Sequence, residues 1–195
     1  MQSIRSLVVI DDKARFRRDV QLSAFDSQKD NLELLSSYLF TVAAPGTNAV
    51  GSASQVSAVD LLDKLLEAYR IAREHNRFVV IANYGHGKSH LALALANYFS
   101  KAYDSPEFAI VKEKLEHSVN NAAKASTYVE FKQQRGEFLV IRLRGDTPSS
   151  LREQFIPSLE RALAEHPATA HFKPHIWHDY ALTLLKALSP EEISR

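Results

Sequence analysis

Residues 78–99 read FVVIANYGHGKSHLALALANYF. Five apolar residues lead into a loop with two glycines. A lysine and a serine follow, and then a long apolar-periodic segment. This order predicts a strand over 78–82, a tight turn, and a helix from about Lys88 to about Ala102, with Leu91, Ala94 and Leu95 on its buried side. A strand feeding a helix through a short loop is the repeating unit of α/β folds, and a continuous apolar strand asks for sheet neighbours and helices on both faces. The expected fold is therefore α/β, a parallel sheet flanked by helices around strands 78–82 and 137–143.

The loop itself carries chemistry. From Ala82 to Ser89 the residues A-N-Y-G-H-G-K-S fit the phosphate-loop pattern G-x-x-x-x-G-K-[S/T], with Ala82 in the first glycine position. Such a loop curls around phosphate oxygens with successive N–H groups pointing inward. Gly85 and Gly87 permit the positive φ angles this needs. The helix start adds unpaired N–H groups and a positive dipole end. Lys88 supplies a point charge to the β- and γ-phosphates, and the Ser89 hydroxyl is a hard oxygen ligand suited to Mg²⁺. The candidate nucleotide contacts are Asn83, Tyr84, Gly85, His86, Gly87, Lys88, Ser89 and His90. Lys88 is also the candidate catalytic residue and Ser89 the candidate metal ligand, with ATP and Mg²⁺ as cofactors. His86 also reads as a solvated loop histidine, and Asn83 as a local cap. The bland alternative is a plain strand, turn and helix. That alternative must explain a lysine where the helix dipole disfavours a cation.

Around this seam the chain organises as a small N-terminal module (1–42), a linker of small residues (43–54, AAPGTNAVGSAS) and a longer region (55–195) that opens a phosphate-loop domain. Residues 4–12, IRSLVVIDD, read as a short buried strand. Residues 28–41 read as a helix with Leu32, Leu35 and Leu39 on one face and Leu34 and Tyr38 beside them. Residues 55–75 form an amphipathic helix through Val59, Leu62, Leu65, Leu66 and Tyr69. Helices are expected over 107–125 and 126–134, then a strand over 137–143. A helix from Leu151 is interrupted at Pro157, and another covers 174–188. Ser189-Pro190-Glu191-Glu192 is a helix-start signature a few residues before Arg195. This leads us to expect the N-terminal part of something longer.

The remaining features exclude more than they assign. The chain has 195 residues, a net charge of +1 and no cysteine, so neither a global pull toward nucleic acid nor a disulfide or thiolate metal site is expected. No apolar run approaches the ~18 residues of a membrane span, and a cytoplasmic protein without membrane attachment is expected. Hydrolysis needs an acidic residue for Mg²⁺ and water at another strand end. The segment FLVIRLRGD carries Arg142 and Arg144 there, so the acidic strand is expected beyond residue 195. LVVIDD at 7–12 has the shape of such a strand but reads as a strand with a polar end. The histidines 166, 171, 175 and 178 cluster, with 171 and 175 four apart and 175 and 178 three apart, yet Pro167 and Pro174 break continuity, and solvated histidines are expected. Arg15, Arg17 and Arg18 lie among Asp11, Asp12 and Asp19 and read as a self-neutralised surface.

At YGHGKSHLALALANYF, and in the leading region RRDVQLSAFDSQKDNLELLSSYLFT, the chain resembles the large AAA-like P-loop ATPases of bacterial phage-defence islands, the BREX-type systems and their relatives. The resemblance implies a P-loop NTPase-like sheet, incomplete in this chain, with Lys88 and Ser89 as the nucleotide and magnesium residues. It implies that the acidic strand, sensor residues and arginine finger follow later. It further implies other subunits of a defence complex as partners, DNA reached through that complex, a homo-oligomeric full-length form, and ATP hydrolysis coupled to assembly or remodelling. Two other classes stay open: another AAA-type enzyme such as a replication-type loader, or a kinase, and a non-catalytic module that holds nucleotide to fix a shape for a partner.

Overall fold

The computed structural model describes residues 20, 22–42, 56–71, 76–83, 85, 87–119, 121–145, 148–171 and 183. The predicted strand 4–12, the arginine cluster, the whole of the predicted linker 43–54, helix 174–188 apart from residue 183, and the Ser-Pro-Glu-Glu signature lie outside the described residues.

The expected parallel sheet is corrected by what these residues do. Helix accounts for 66% of the described part and strand for none, so the described architecture is helical rather than α/β. After a 3-10 turn at Leu22–Asp26 come α1 (Gln28–Ser37), α2 (Ala58–Ile71), α3 (Lys88–Ser100), α4 (Pro106–Val119), α5 (Ala122–Arg135) and α6 (Leu151–Glu165). The chain divides into two compact units, Met1–Gly136 and Glu137–Arg195.

Neither of the predicted strands within the described residues enters a ladder. In 78–82 the apolar side chains stand in solvent: Val79 is 85% and Ile81 90% exposed. A short apolar run satisfies the local requirement for a strand, but its ladder partners must come from elsewhere. Segment 137–144 belongs to the second unit and runs beside α6 instead of beside another strand. Its hydrogen bonds go to side chains of that helix and its end. His166 Nε2 reaches Glu137 O (3.2 Å), Arg142 meets Glu165 (3.3 Å), and Arg144 N–H donates to Gln154 Oε1 (2.9 Å).

The helices start where local chemistry dictates. Ser27 caps α1 by accepting from Asp30 N, and Asn121 caps α5 by accepting from Lys124 N. That second cap starts α5 at Ala122, not at the 126 expected from the sequence. Ser57 and Asp60 form a reciprocal cap at the start of α2, with Asp60 N–H on Ser57 Oγ (3.1 Å) and Ser57 N–H on Asp60 Oδ2 (3.1 Å). Ser150 and Glu153 form a capping box at α6. α6 runs through Pro157 without interruption, contrary to expectation. Pro157 and Glu153 are both exposed, so the Glu153 carbonyl that loses its N–H partner lies on a face open to water.

In the first unit α1 packs on α3 and α4, and α4 packs on α3 and α5. The core is built from Leu34 and Leu35, Val59, Leu62 and Leu66, Leu93 and Ala94, Phe108, Val111 and Leu115, and Phe131, all buried. Each large apolar side chain removed from water there contributes about 1.5–3 kcal/mol. The buried stripe of α3 runs through Leu93, Ala94, Asn97 and Tyr98, while Leu91 and Leu95 are half-buried. In α1 the inward residues are Asn31, Leu34 and Leu35, and Leu39 beyond the helix is 68% exposed. Buried polar groups are matched. Tyr98 OH donates to Tyr128 O (2.8 Å), Tyr128 OH to Asp63 Oδ1 (2.6 Å), and Lys132 Nζ to Phe99 O (2.9 Å) at the C-terminal end of α3. Burial pushes both tyrosine hydroxyls well above their ordinary range, and at Tyr128 the Asp63 carboxylate adds to the rise.

Candidate functional site

The loop between the extended segment and α3 is built by its glycines. Gly85 has φ 81° and Gly87 φ 73°, both left-handed. A Cβ at either would meet nothing within 4 Å, so backbone conformation rather than space selects glycine there. Gly87 is the N-cap of α3, and its carbonyl accepts from Leu91 N–H at 2.8 Å. Gly87 has no side chain with which to cap this helix start, and no acidic residue sits in the first turn. Neither the N-cap residue nor the first turn therefore supplies a side-chain anion to the N-terminal N–H groups and positive dipole end of α3.

Lys88 folds back over the loop. Its Nζ donates to Ala82 O at 2.8 Å and to Asn83 O at 2.7 Å, on the exposed side. The ammonium thus bridges back across residues 82–88 and holds the two carbonyls that precede the glycines. This accounts for a lysine at the helix start: two loop carbonyls accept from its ammonium and offset the unfavourable dipole. Asn83 contributes its backbone carbonyl at this point. Ser89, one residue on, is exposed at the second helical position. Ala82, Asn83, Gly85, Gly87, Lys88 and Ser89 are thus brought together on one open loop. Tyr84 and His86 lie outside the described residues.

His90 is placed differently from its neighbours. Its Nε2 lies 2.6 Å from Leu34 O in α1, and its ring packs at a tilt of 52° against Tyr38 with centroids 4.8 Å apart. A carbonyl only accepts, so Nε2 carries the proton. Tyr38 is half-buried, and burial pushes its hydroxyl up to about 12. Nothing in the spacing of the loop motif points to this contact, because Leu34 is 56 positions away.

The other candidate clusters are simpler. His166 ends α6, and its Nδ1 accepts from Ala168 N–H (3.2 Å) while Nε2 faces Glu137 O. His175 and His178 lie outside the described residues. Among the described residues, no three His, Asp or Glu side chains converge as a metal site. A groove of about 610 Å³ between α4 and α5, lined by Lys112, Glu116, Ala125 and Glu130 among others, shares no residue with the loop. Among the described residues no helix is long and apolar enough to cross a membrane.

No protein-family model, curated protein or solved structure matches the chain.

Proposed function

We propose that the loop 82–89 binds the phosphate groups of Mg²⁺–ATP, and that the chain supplies the ATP-binding loop of an ATPase of the phage-defence kind that its YGHGKSHL stretch resembles. The observation that carries the nucleotide reading is the position of Lys88. One ammonium, two left-handed glycines and a helix start without a side-chain cap share a single exposed loop. Each element is suited to an anion. The reading draws on backbone N–H groups, one lysine and one serine hydroxyl, all of which lie within residues 82–89 apart from the nucleotide itself. In this mechanism the γ-phosphate competes with the carbonyls of Ala82 and Asn83 for the lysine. Ser89 Oγ would hold Mg²⁺, which neutralises phosphate charge. Coupling to DNA-associated subunits, and to remodelling of a complex, rests on the resemblance alone.

The deciding experiment is calorimetric titration of Mg²⁺–ATP into this chain, beside Lys88→Ala and Ser89→Ala. Saturable binding that Lys88→Ala abolishes supports the reading, as does a loss of magnesium dependence in Ser89→Ala. Equal behaviour of the native chain and Lys88→Ala would leave the loop a plain turn.

A further inference from the structure

The side chain of His90 ties the first turn of α3 to the last turn of α1. Tyr38 N–H closes α1 on Leu35 O at 3.1 Å, one residue short of the α-helical register. That shift releases Leu34 O, one of the carbonyls a helix leaves without an intrahelical partner at its end. Leu34 O accepts instead from Ser37 Oγ (2.8 Å) and from His90 Nε2 (2.6 Å). His90 is the third residue of α3 and directly follows Lys88 and Ser89. The imidazole therefore caps the C-terminus of one helix from within the first turn of another. Its ring is held by Tyr38, itself packed edge-on against the buried Phe40 at 4.9 Å. Seven residues further along α3, Asn97 exchanges two amide hydrogen bonds with Asn31. The two ties pin α3 to α1 at two points, so a shift at the start of α3 disturbs the end of α1.

We propose that His90 is a positioning residue that couples occupancy of the phosphate loop to the docking of the C-terminal end of α1. The proposal rests on the nucleotide reading above and adds a route by which the N-terminal segment senses the loop. When the phosphates draw Lys88 from Ala82 O and Asn83 O, the first turn of α3 tightens, and His90 transmits that tightening to Leu34 O and Tyr38. Such coupling is reciprocal: whatever factor the ligand contributes to α1, α1 contributes to the ligand.

The test is amide hydrogen exchange at the end of α1, read at Tyr38 N–H and its neighbours with and without saturating Mg²⁺–ATP. Affinity is measured in parallel by calorimetry. In the native chain the ligand slows exchange there on the order of fivefold. In His90→Ala the chain still binds, its affinity falls by a factor matching the lost protection, and the ligand no longer slows exchange at α1. His90→Gln, which keeps a donor at the same reach, restores both effects. A residue with only a structural role would raise exchange equally with and without ligand, and that result overturns the proposal. Binding by the native chain with unchanged exchange at α1 overturns the coupling and leaves the nucleotide reading standing. Absence of binding by the native chain overturns both.

Discussion

Asn31 and Asn97, 66 positions apart, donate to one another through their side-chain amides at 2.8 Å in both directions, and both are fully buried. The remaining donor position on Asn97 goes to Leu93 O at 2.9 Å. The pair is a closed polar unit in an apolar seam between α1 and α3, and it sets the register that brings His90 to Leu34. A polar pair of this kind is expensive to break from one side. Asn97→Ala strands the amide of Asn31 and should destabilise the first unit by about 1–3 kcal/mol. Replacing both residues with Leu should cost less than the sum of the single replacements, because no orphaned group is left. Urea denaturation of the two single variants and the double variant gives the coupling directly. Additive losses would mean the two amides act independently.

Val79 and Ile81 test the helical architecture against the expected sheet. Both are almost fully exposed, so Val79→Thr and Ile81→Thr should each change stability by no more than about 0.5 kcal/mol. The same substitutions in a sheet core would bury an extra hydroxyl and cost several times that amount. Chemical denaturation separates the two cases, and a large loss would return residues 78–82 to a buried strand.

Gly87 carries the conformational demand of the loop. Gly87→Ala forces a left-handed alanine at φ 73° and should cost about 1–2 kcal/mol. Gly87→Asn should cost less, because asparagine tolerates that region. The order Gly, Asn, Ala should appear both in denaturation midpoints and in Mg²⁺–ATP affinity. Equal stability of the Asn and Ala variants would mean that the loop relaxes out of the left-handed conformation.

Two helix caps make the chain acid-sensitive. Asp60 is held below the ordinary carboxylate range chiefly by the hydroxyl of Ser57, and Glu153 chiefly by the backbone N–H of Ser150. For a carboxylate whose folded value is depressed, the stabilisation is present above the unfolded value. It is lost as pH falls through the folded one. Helicity should therefore decline as pH drops below the usual range of Asp and Glu, in α2 and α6 first. Asp60→Asn and Glu153→Gln should flatten that decline in their own helices. Circular dichroism across an acid titration, with site-resolved exchange to assign the helices, checks the direction. A decline that both variants leave unchanged would place the acid sensitivity elsewhere.

Much of the local structure follows from the residues themselves. The apolar periods of 28–37, 58–71 and 88–100, the caps Ser27, Ser57 and Ser150, and the glycines that turn the chain into α3 are short-range features. Each depends on neighbours within a turn, so propensity, capping and φ restriction determine it. The gathering of Ala82, Asn83, Gly85, Gly87, Lys88 and Ser89 on one loop is of the same kind, since all lie within eight positions.

What a segment becomes when its partners are distant was decided only by the tertiary structure. FVVIA and EFLVIRL have the composition of strands, yet one stands in solvent and the other takes its hydrogen bonds from Gln154 and His166 rather than from a ladder. Composition specifies a willingness to be extended, while pairing is a property of two segments. The inward face of α3 was set in the same way. Leu91 and Leu95 satisfy the periodicity, but Asn97 is the residue that α1 meets, because Asn31 is there to answer it. His90 reads from the motif as part of the phosphate loop. Its imidazole goes to Leu34 O because the end of α1 leaves a carbonyl within its reach, and no local pattern in the sequence records that vacancy.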